Sequence, residues 1–327
     1  MIQSLSIRNF KVLREVGVKL QPLTVIVGPN ASGKTSILQA IEVISAWLNR
    51  SPFEALQRWD PNIFLSRNST GPALIGCQVL IQGKAIYFKI NLSSRETTDP
   101  SDGTMKWSCT FLNLNTERLA ASSYPKSLSL KLPSNGDGLP SILAGLQLED
   151  PSKFAGIVSQ LRDVVPSLSD IRVRQIQIES DRVGHELLFD LKGAQGVRAS
   201  SISEGTLLTL GVLTALSTCD SPQVVLIDDI ERGLHPKALK DYIEQIRLLQ
   251  KKDPELQIIA TSHSPYLLDY LQAEEILLTS LDDEGYAVVK PLTDHPEYER
   301  WKDLMDPGEF WSSVGEDWIV QEKKATA

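Results

Sequence analysis

The chain has 327 residues, 42% hydrophobic and 23% charged, which is enough apolar material for a full core and the balance of a soluble globular protein. Its formal net charge of -8 is the wrong sign for a surface that attracts nucleic acid all round, leaving only a local basic patch for that role. Cys77, Cys109 and Cys219 stand far apart without a CxxC pair, so neither a disulfide framework nor a zinc site is indicated; with no signal-peptide core at the start and no run of about 18 apolar residues, the expectation is a cytoplasmic protein that meets no membrane.

The first fifty residues read strand, short turn, strand, loop, helix. LTVIV has strand length and composition, GPNASG is a loop, and Ile37, Leu38, Ile41, Ile44 and Leu48 then recur at helical spacing. This is the first half of an α/β unit. From roughly residue 75 to 200 the pattern changes. PALIGCQVLIQGKAIYFKINL and MKWSCTFLNLN read as antiparallel strands, DPSKFAGIVSQLRDVVPSLSDIRVRQIQI as a helix and a strand, and SSRETTDPSDG and LPSNGDG as polar loops. No heptad repeat marks a coiled-coil arm. The second half of the α/β unit follows: QVVLIDD is a buried strand, PKALKDYIEQIRLLQKK an amphipathic helix opening on Pro236, and LQIIATSHS another buried strand. That order implies parallel neighbours joined by a right-handed crossover.

Gly28, Gly33, Lys34 and Thr35 satisfy the GxxxxGK[ST] phosphate loop. Its glycines let backbone N–H groups wrap phosphates, the helix start adds a favourable dipole, Lys34 reaches the outer phosphates, and the Thr35 hydroxyl ligates magnesium. The ATP cradle is therefore expected over Gly28, Pro29, Asn30, Ala31, Ser32, Gly33, Lys34, Thr35 and Ser36. Asp228 ends a buried strand, where a carboxylate holds the same Mg2+ through water. Asp229 follows and Glu231 is close by; one of them should orient the attacking water. His263, just past another buried strand, is read as a γ-phosphate sensor in company with these motifs, and alone it would be an ordinary structural histidine. In SISEGTLLTLGVL, Ser203 is placed to cap a helix whose first turn holds Glu204, Gly205 and Thr206, with Leu207, Leu208, Leu210 and Leu213 on its buried side.

Phosphate loop, ISEGT, LIDDIERGLHP and TSHSP, in that order, resemble the RecF/SMC/OLD group of ABC-type AAA ATPases, especially short stand-alone prokaryotic members with an LSDGT-like signature. The opening LSIRNFKVLREVGVKLQPLTVIVGPNASGKTSILQAI is similar to that group's first strands and puts Asn9, Phe10 and Lys11 on the adenine side. PGEFWSSVGEDW resembles the tail of stand-alone members. The resemblance implies an α/β fold, a P-loop NTPase head of the ABC type, with its core in residues 1–74 and 201–327 and an inserted α+β lobe in 75–200. It also implies a mechanism. Two heads sandwich two ATP molecules, each held by the phosphate loop of one protomer and, in trans, by the signature Ser203, Glu204 and Gly205 of the other; hydrolysis parts the heads. The implied protein is an ATPase using ATP and Mg2+, a homodimer formed on ATP, and a switch for a separately encoded effector in anti-phage defence.

The alternative is a RecF-like repair ATPase that clamps DNA directly, for which Arg172 and Arg174, two apart on a strand, would share one face toward phosphates; such a pair is otherwise a solvated sheet face. A transporter subunit is disfavoured by the signature and the long insertion. Several residues depart from the group's pattern. Asp228-Asp229 stands for the usual Asp-Glu pair, so the water-activating side chain is one methylene short and slow hydrolysis is expected. Glu204 replaces the first signature glycine of transporter-type ATPases. No glutamine between Gln57 and Gln82 stands out as the link from magnesium to the insertion. The nuclease module of OLD-type proteins is expected to be missing, since only about sixty residues follow His263.

Overall fold

Buried and exposed residues alternate along Ile2–Phe10 (β1) and Leu13–Lys19 (β2), which form an antiparallel hairpin with Phe10 opposite Leu13 and a tight reversal at Lys11 and Val12. Leu23–Val27 (β3) is buried at every position and leads through the glycine loop into Lys34–Asn49 (α1). Three strands thus precede the helix, one more than the sequence reading, because the reversal at Lys11 and Val12 has no glycine or proline to mark it. The computed structural model describes residues 1–49, 65–66, 71–81, 84–94, 96–98, 108–125, 129–179, 182–220 and 223–320.

The chain divides into two units, one of Met1–Phe111, Ser221–Ile230 and Pro254–Ala327, the other of Leu112–Asp220 and Glu231–Asp253. The first unit holds two sheets. In one, β2, β1, Leu74–Ile81 (β4), Lys84–Asn91 (β5) and Glu96–Thr98 (β6) lie side by side and antiparallel. Strands β4 and β5, from the stretch read as an inserted lobe, therefore extend the β1–β2 hairpin, with Leu5 opposite Cys77. The other sheet includes Ser108–Leu112 (β7) and has the order β14-β13-β3-β12-β11-β7, where β11 is Gln223–Ile227, β12 Leu256–Ser262, β13 Ile276–Leu281 and β14 Ala287–Pro291. β11, β12, β3 and β13 run parallel, as expected for β11 and β12. Their unbroken apolar runs fit a sheet covered on both faces. Ile37, Leu38, Ile41, Ile44 and Trp47 of α1 are buried in a core shared with both sheets, and α1 packs on β1, β4 and β12. Parallel order brings the carboxyl ends of β3, β11 and β12 to one edge, where α/β sheets bind ligands.

In the second unit, Leu168–Glu179 (β8), Arg182–Leu191 (β9) and Ala194–Arg198 (β10) form an antiparallel sheet accompanied by the helices Leu139–Glu149 (α2), Pro151–Val164 (α3), Glu204–Thr218 (α4) and Pro236–Lys252 (α5). α4 is buried on all sides over residues 205–216, so it is the central helix of this unit. α5 is amphipathic: Leu239, Tyr242, Ile243, Ile246 and Leu249 face inward at helical spacing, and Pro236 occupies its first turn.

Candidate nucleotide-binding site

The phosphate loop is shaped by what lies beneath it. Gly28 leaves β3 at φ +148°, and a Cβ there would stand 2.2 Å from the backbone oxygen of Thr279 and 2.5 Å from its Oγ1, so glycine alone fits. Thr279 on β13 is fully buried; its hydroxyl lies 2.5 Å from Ser32 Oγ and 3.2 Å from the Val27 carbonyl. Gly33, at φ +99°, faces the tip of the β1–β2 hairpin: a Cβ would meet Val12 and Ala287 at 3.0 Å, and Ala287 N–H donates to the Val12 carbonyl at 2.8 Å. Pro29, Asn30 and Ala31 form the exposed crest, Ala31 at φ +61°, while Ser36 is half-buried in the first turn of α1. Lys34 folds back over the loop, its Nζ donating to the carbonyls of Gly28 at 2.9 Å and Pro29 at 2.8 Å.

Beyond the loop, the Thr35 hydroxyl lies 3.1 and 3.2 Å from the two carboxylate oxygens of Asp228. Thr261 on β12, fully buried, ties the two aspartates together: its hydroxyl donates to Asp228 Oδ1 at 2.6 Å and accepts from the Asp229 N–H at 2.9 Å. Asp229 takes a left-handed conformation, φ +51°, which carries its side chain toward His263; His263 Nε2 is 3.7 Å from Asp229 Oδ1. A hydroxyl and a carboxylate are hard oxygen donors, and Mg2+ typically takes one or two such protein ligands and completes its shell with phosphates and water. The donor set therefore fits magnesium. Among the described residues no group of three or more His, Cys, Asp and Glu side chains offers a separate metal centre.

The hairpin tip carries the expected adenine-side residues. Asn9 and Lys11 both have positive φ, 57° and 53°, and Ser66 holds the turn by donating from N to the Asn9 carbonyl at 3.2 Å and from Oγ to the Lys11 carbonyl at 2.6 Å. Asn9 Nδ2 donates to the Pro72 carbonyl at 3.2 Å, and the Lys11 ammonium donates to Gln39 of α1. Burial lowers the proton affinity of Lys11 below the ordinary lysine range. Phe10 is wholly buried, which leaves Asn9 and Lys11 as the partly exposed members of this trio. Gln57 and Gln82 lie outside the described residues; Gln78, between them, accepts from Ser4 Oγ at 3.5 Å within the sheet.

The signature stretch lies in the second unit and forms the expected cap. Ser203 Oγ accepts from Thr206 N at 3.4 Å and lies 2.8 Å from Thr206 Oγ1, and Ser203 and Glu204 are exposed at the start of α4. Glu231 opens the short segment before α5, and its charge, after burial, helps hold the Tyr242 hydroxyl protonated. Sequence reasoning missed Thr261 and Thr279, because a threonine inside an apolar run reads as an ordinary strand residue. It also missed Arg232, although ERGLHP puts a cation and a glycine directly after Glu231.

The tail is tied to the His263 segment. Gly308, in Pro307–Val314 (α6), donates its N–H to Asp269 Oδ1 at 2.9 Å, and a Cβ on it would stand 2.0 Å from the Pro265 carbonyl oxygen.

Two family models match the chain: "AAA ATPase domain" over residues 1–130 and "AAA domain, putative AbiEii toxin, Type IV TA system" over residues 122–269. The OLD nuclease of Thermus scotoductus (strain ATCC 700910 / SA-01) is 24% identical over 88% of this chain and 64% of its own length. The Septu protein PtuA of Bacillus mycoides (strain KBAB4) is 22% identical over 88% of this chain and 42% of its own. The chain thus spans less than two thirds of the length of these relatives. Among solved structures, an SMC head bound to the C-winged helix domain of ScpA aligns with a TM-score of 0.61 at 15% identity, covering 91% of this chain and 99% of that one. The SMC head domain from Thermotoga maritima gives 0.53 at 15%, covering 89% and 98%. At such identity the likeness speaks to the fold, a P-loop head of the ABC type with a mixed α/β architecture. Motif order, fold and relatives together support a RecF/SMC/OLD-like ABC-type ATPase.

Proposed function

We propose that the protein is an ATP-hydrolysing switch that closes into a homodimer on ATP and thereby controls a separate effector protein, in the cytoplasm and in defence against phage. The observation that carries the reading is the meeting of Thr35 with Asp228 at 3.1 Å, with Asp229 and His263 directly beyond. Loop N–H groups and Lys34 hold the β- and γ-phosphates. Magnesium bound between Thr35 and Asp228 would supply neutralisation of phosphate charge. Asp229 orients the attacking water, with Glu231 its rival, and His263 faces the γ-phosphate. Water oxygen bonds to the γ-phosphorus, the bond to the β,γ-bridging oxygen breaks, and ADP and phosphate leave. The short aspartate makes turnover slow. Asn9 and Lys11 flank the adenine, and Ser203, Glu204 and Gly205 serve the partner's ATP.

The effector reading draws on the sequence resemblance and on similarity to Septu protein PtuA. Residues 75–200, read as an inserted lobe, or the tail after Ser280 form its contact surface; α6, held to the His263 segment through Asp269, gives the tail a route to the site. A direct DNA clamp is weakened by the second unit's basic pair. Arg172 donates to Asp190 at 2.6 Å and Arg174 Nε to Glu186 at 2.6 Å, so acids on β9 already occupy both cations. Among the described residues no helix is long and apolar enough to cross a membrane.

Purification from the native host with and without ATP, followed by mass spectrometry and a salt-dependent DNA titration, tests the reading. A second protein retained in a nucleotide-dependent way is expected. A bare dimer that binds DNA tightly and recruits no protein overturns it.

A further inference from the structure

The signature turn is locked to the segment that follows the aspartate pair. Arg232 donates from Nε at 2.9 Å and from Nη2 at 2.6 Å to a single oxygen, Glu204 Oε1. Beside this ion pair the two backbones touch. A Cβ on Gly205 would stand 2.1 Å from the Gly233 carbonyl oxygen, and one on Gly233, at φ +75°, would stand 2.8 Å from Gly205 N. No side chain fits at either position. Both charged side chains are about half exposed, 51% and 49%, and such a pair in isolation contributes little. Here the glycine contact pre-sets the geometry, so ordering the two long side chains costs less.

The chain positions give the lock its meaning. Arg232 follows Asp229 by three residues, and Glu204 is the residue directly after Ser203. One protomer therefore joins the segment leaving its own water-orienting carboxylate to the turn it offers to its partner's ATP. We propose that Arg232 is a positioning residue that, through Glu204, couples the two ATP sites of the dimer, so that occupancy of a protomer's own site sets the signature turn serving the other. This rests on the composite-site reading above.

The test compares wild type, Arg232→Glu, Arg232→Gln and the conservative Arg232→Lys. Three quantities are measured: affinity for a fluorescent ATP analogue at high dilution, ATP-dependent dimerisation by sedimentation, and the steepness of hydrolysis against ATP. Wild type should show a Hill coefficient approaching about 2, the limit for two coupled sites. Compared at equal extent of dimerisation, Arg232→Glu and Arg232→Gln should fall toward about 1 with diluted-protein affinity within about twofold of wild type, and Arg232→Lys, which keeps a cation facing Glu204, should retain steepness. Wild-type steepness in Arg232→Glu, or a folded Arg232→Lys as shallow as Arg232→Gln, overturns the coupling. A wild type that neither dimerises on ATP nor hydrolyses cooperatively instead overturns the composite-site reading, and the coupling with it.

Discussion

The Thr279 hydroxyl stands 2.5 Å from Ser32 Oγ, so β13 supports the phosphate loop from below across 247 residues of sequence. Removing that hydroxyl leaves Ser32 and the Val27 carbonyl without it in a buried place, a penalty of about 1–3 kcal/mol. Thr279→Val should therefore weaken ATP binding by roughly tenfold while Thr279→Ser stays near wild type. Isothermal calorimetry on the three proteins checks this, and equal affinities would remove Thr279 from the site.

Lys34 carries the cation of the loop and now rests on the carbonyls of Gly28 and Pro29. Lys34→Ala should lose at least about tenfold in ATP affinity, the scale of a charge-assisted bond, with the far-ultraviolet spectrum unchanged. A folded Lys34→Ala protein with wild-type affinity would contradict the phosphate-loop assignment.

Asp229 owes its orientation to a left-handed backbone and to the Thr261 hydroxyl that accepts its N–H. Asp229→Asn should retain ATP and slow phosphate release by on the order of a hundredfold, the size of a general-base contribution, and Asp229→Glu should speed it by restoring the missing methylene. If Glu231→Gln stops phosphate release and Asp229→Asn does not, the water belongs to Glu231.

His185 gives the second unit a pH dependence. Its Nδ1 lies 3.2 Å from Ser141 Oγ, and burial lowers its proton affinity below the ordinary histidine value. The unfolded chain thus binds the proton more readily, so the contribution to stability is complete above the unfolded pKa of about 6.5 and is lost as pH falls through the lower folded value. Melting curves across that window should show a steeper acid-side fall for wild type than for His185→Gln; parallel curves would contradict it.

Much of this was legible from pattern. LTVIV, QVVLI and LQIIATS are buried at every residue, and the helix from Pro236 begins where its proline indicates. Local chemistry was legible too, since Ser203 caps its helix through Thr206. What escaped were relations between distant segments. β1 and β2 read as one stretch because no glycine or proline marks the turn between them, and pairing of β4 with β1 is set by burial across 70 residues rather than by local propensity. Thr279 beneath the loop and Thr261 behind the aspartate pair escaped for the same reason: both act through hydroxyls whose partners lie far away in sequence. Arg232 could be seen as an exposed cation, but its partner Glu204 could not.

The central claim is that each ATP is served by two protomers, and mixing two inactive variants tests it most directly. A Lys34→Ala protomer lacks its own loop cation but keeps Ser203; a Ser203→Arg protomer keeps the loop but obstructs its partner's site. Neither alone should hydrolyse ATP. In a mixture with heterodimers confirmed by mass spectrometry, one complete site forms per heterodimer, and hydrolysis should return to about half of the wild-type rate per heterodimer if the two sites act independently, and below half where the coupling through Arg232 operates. A mixture no more active than its components would contradict the shared site.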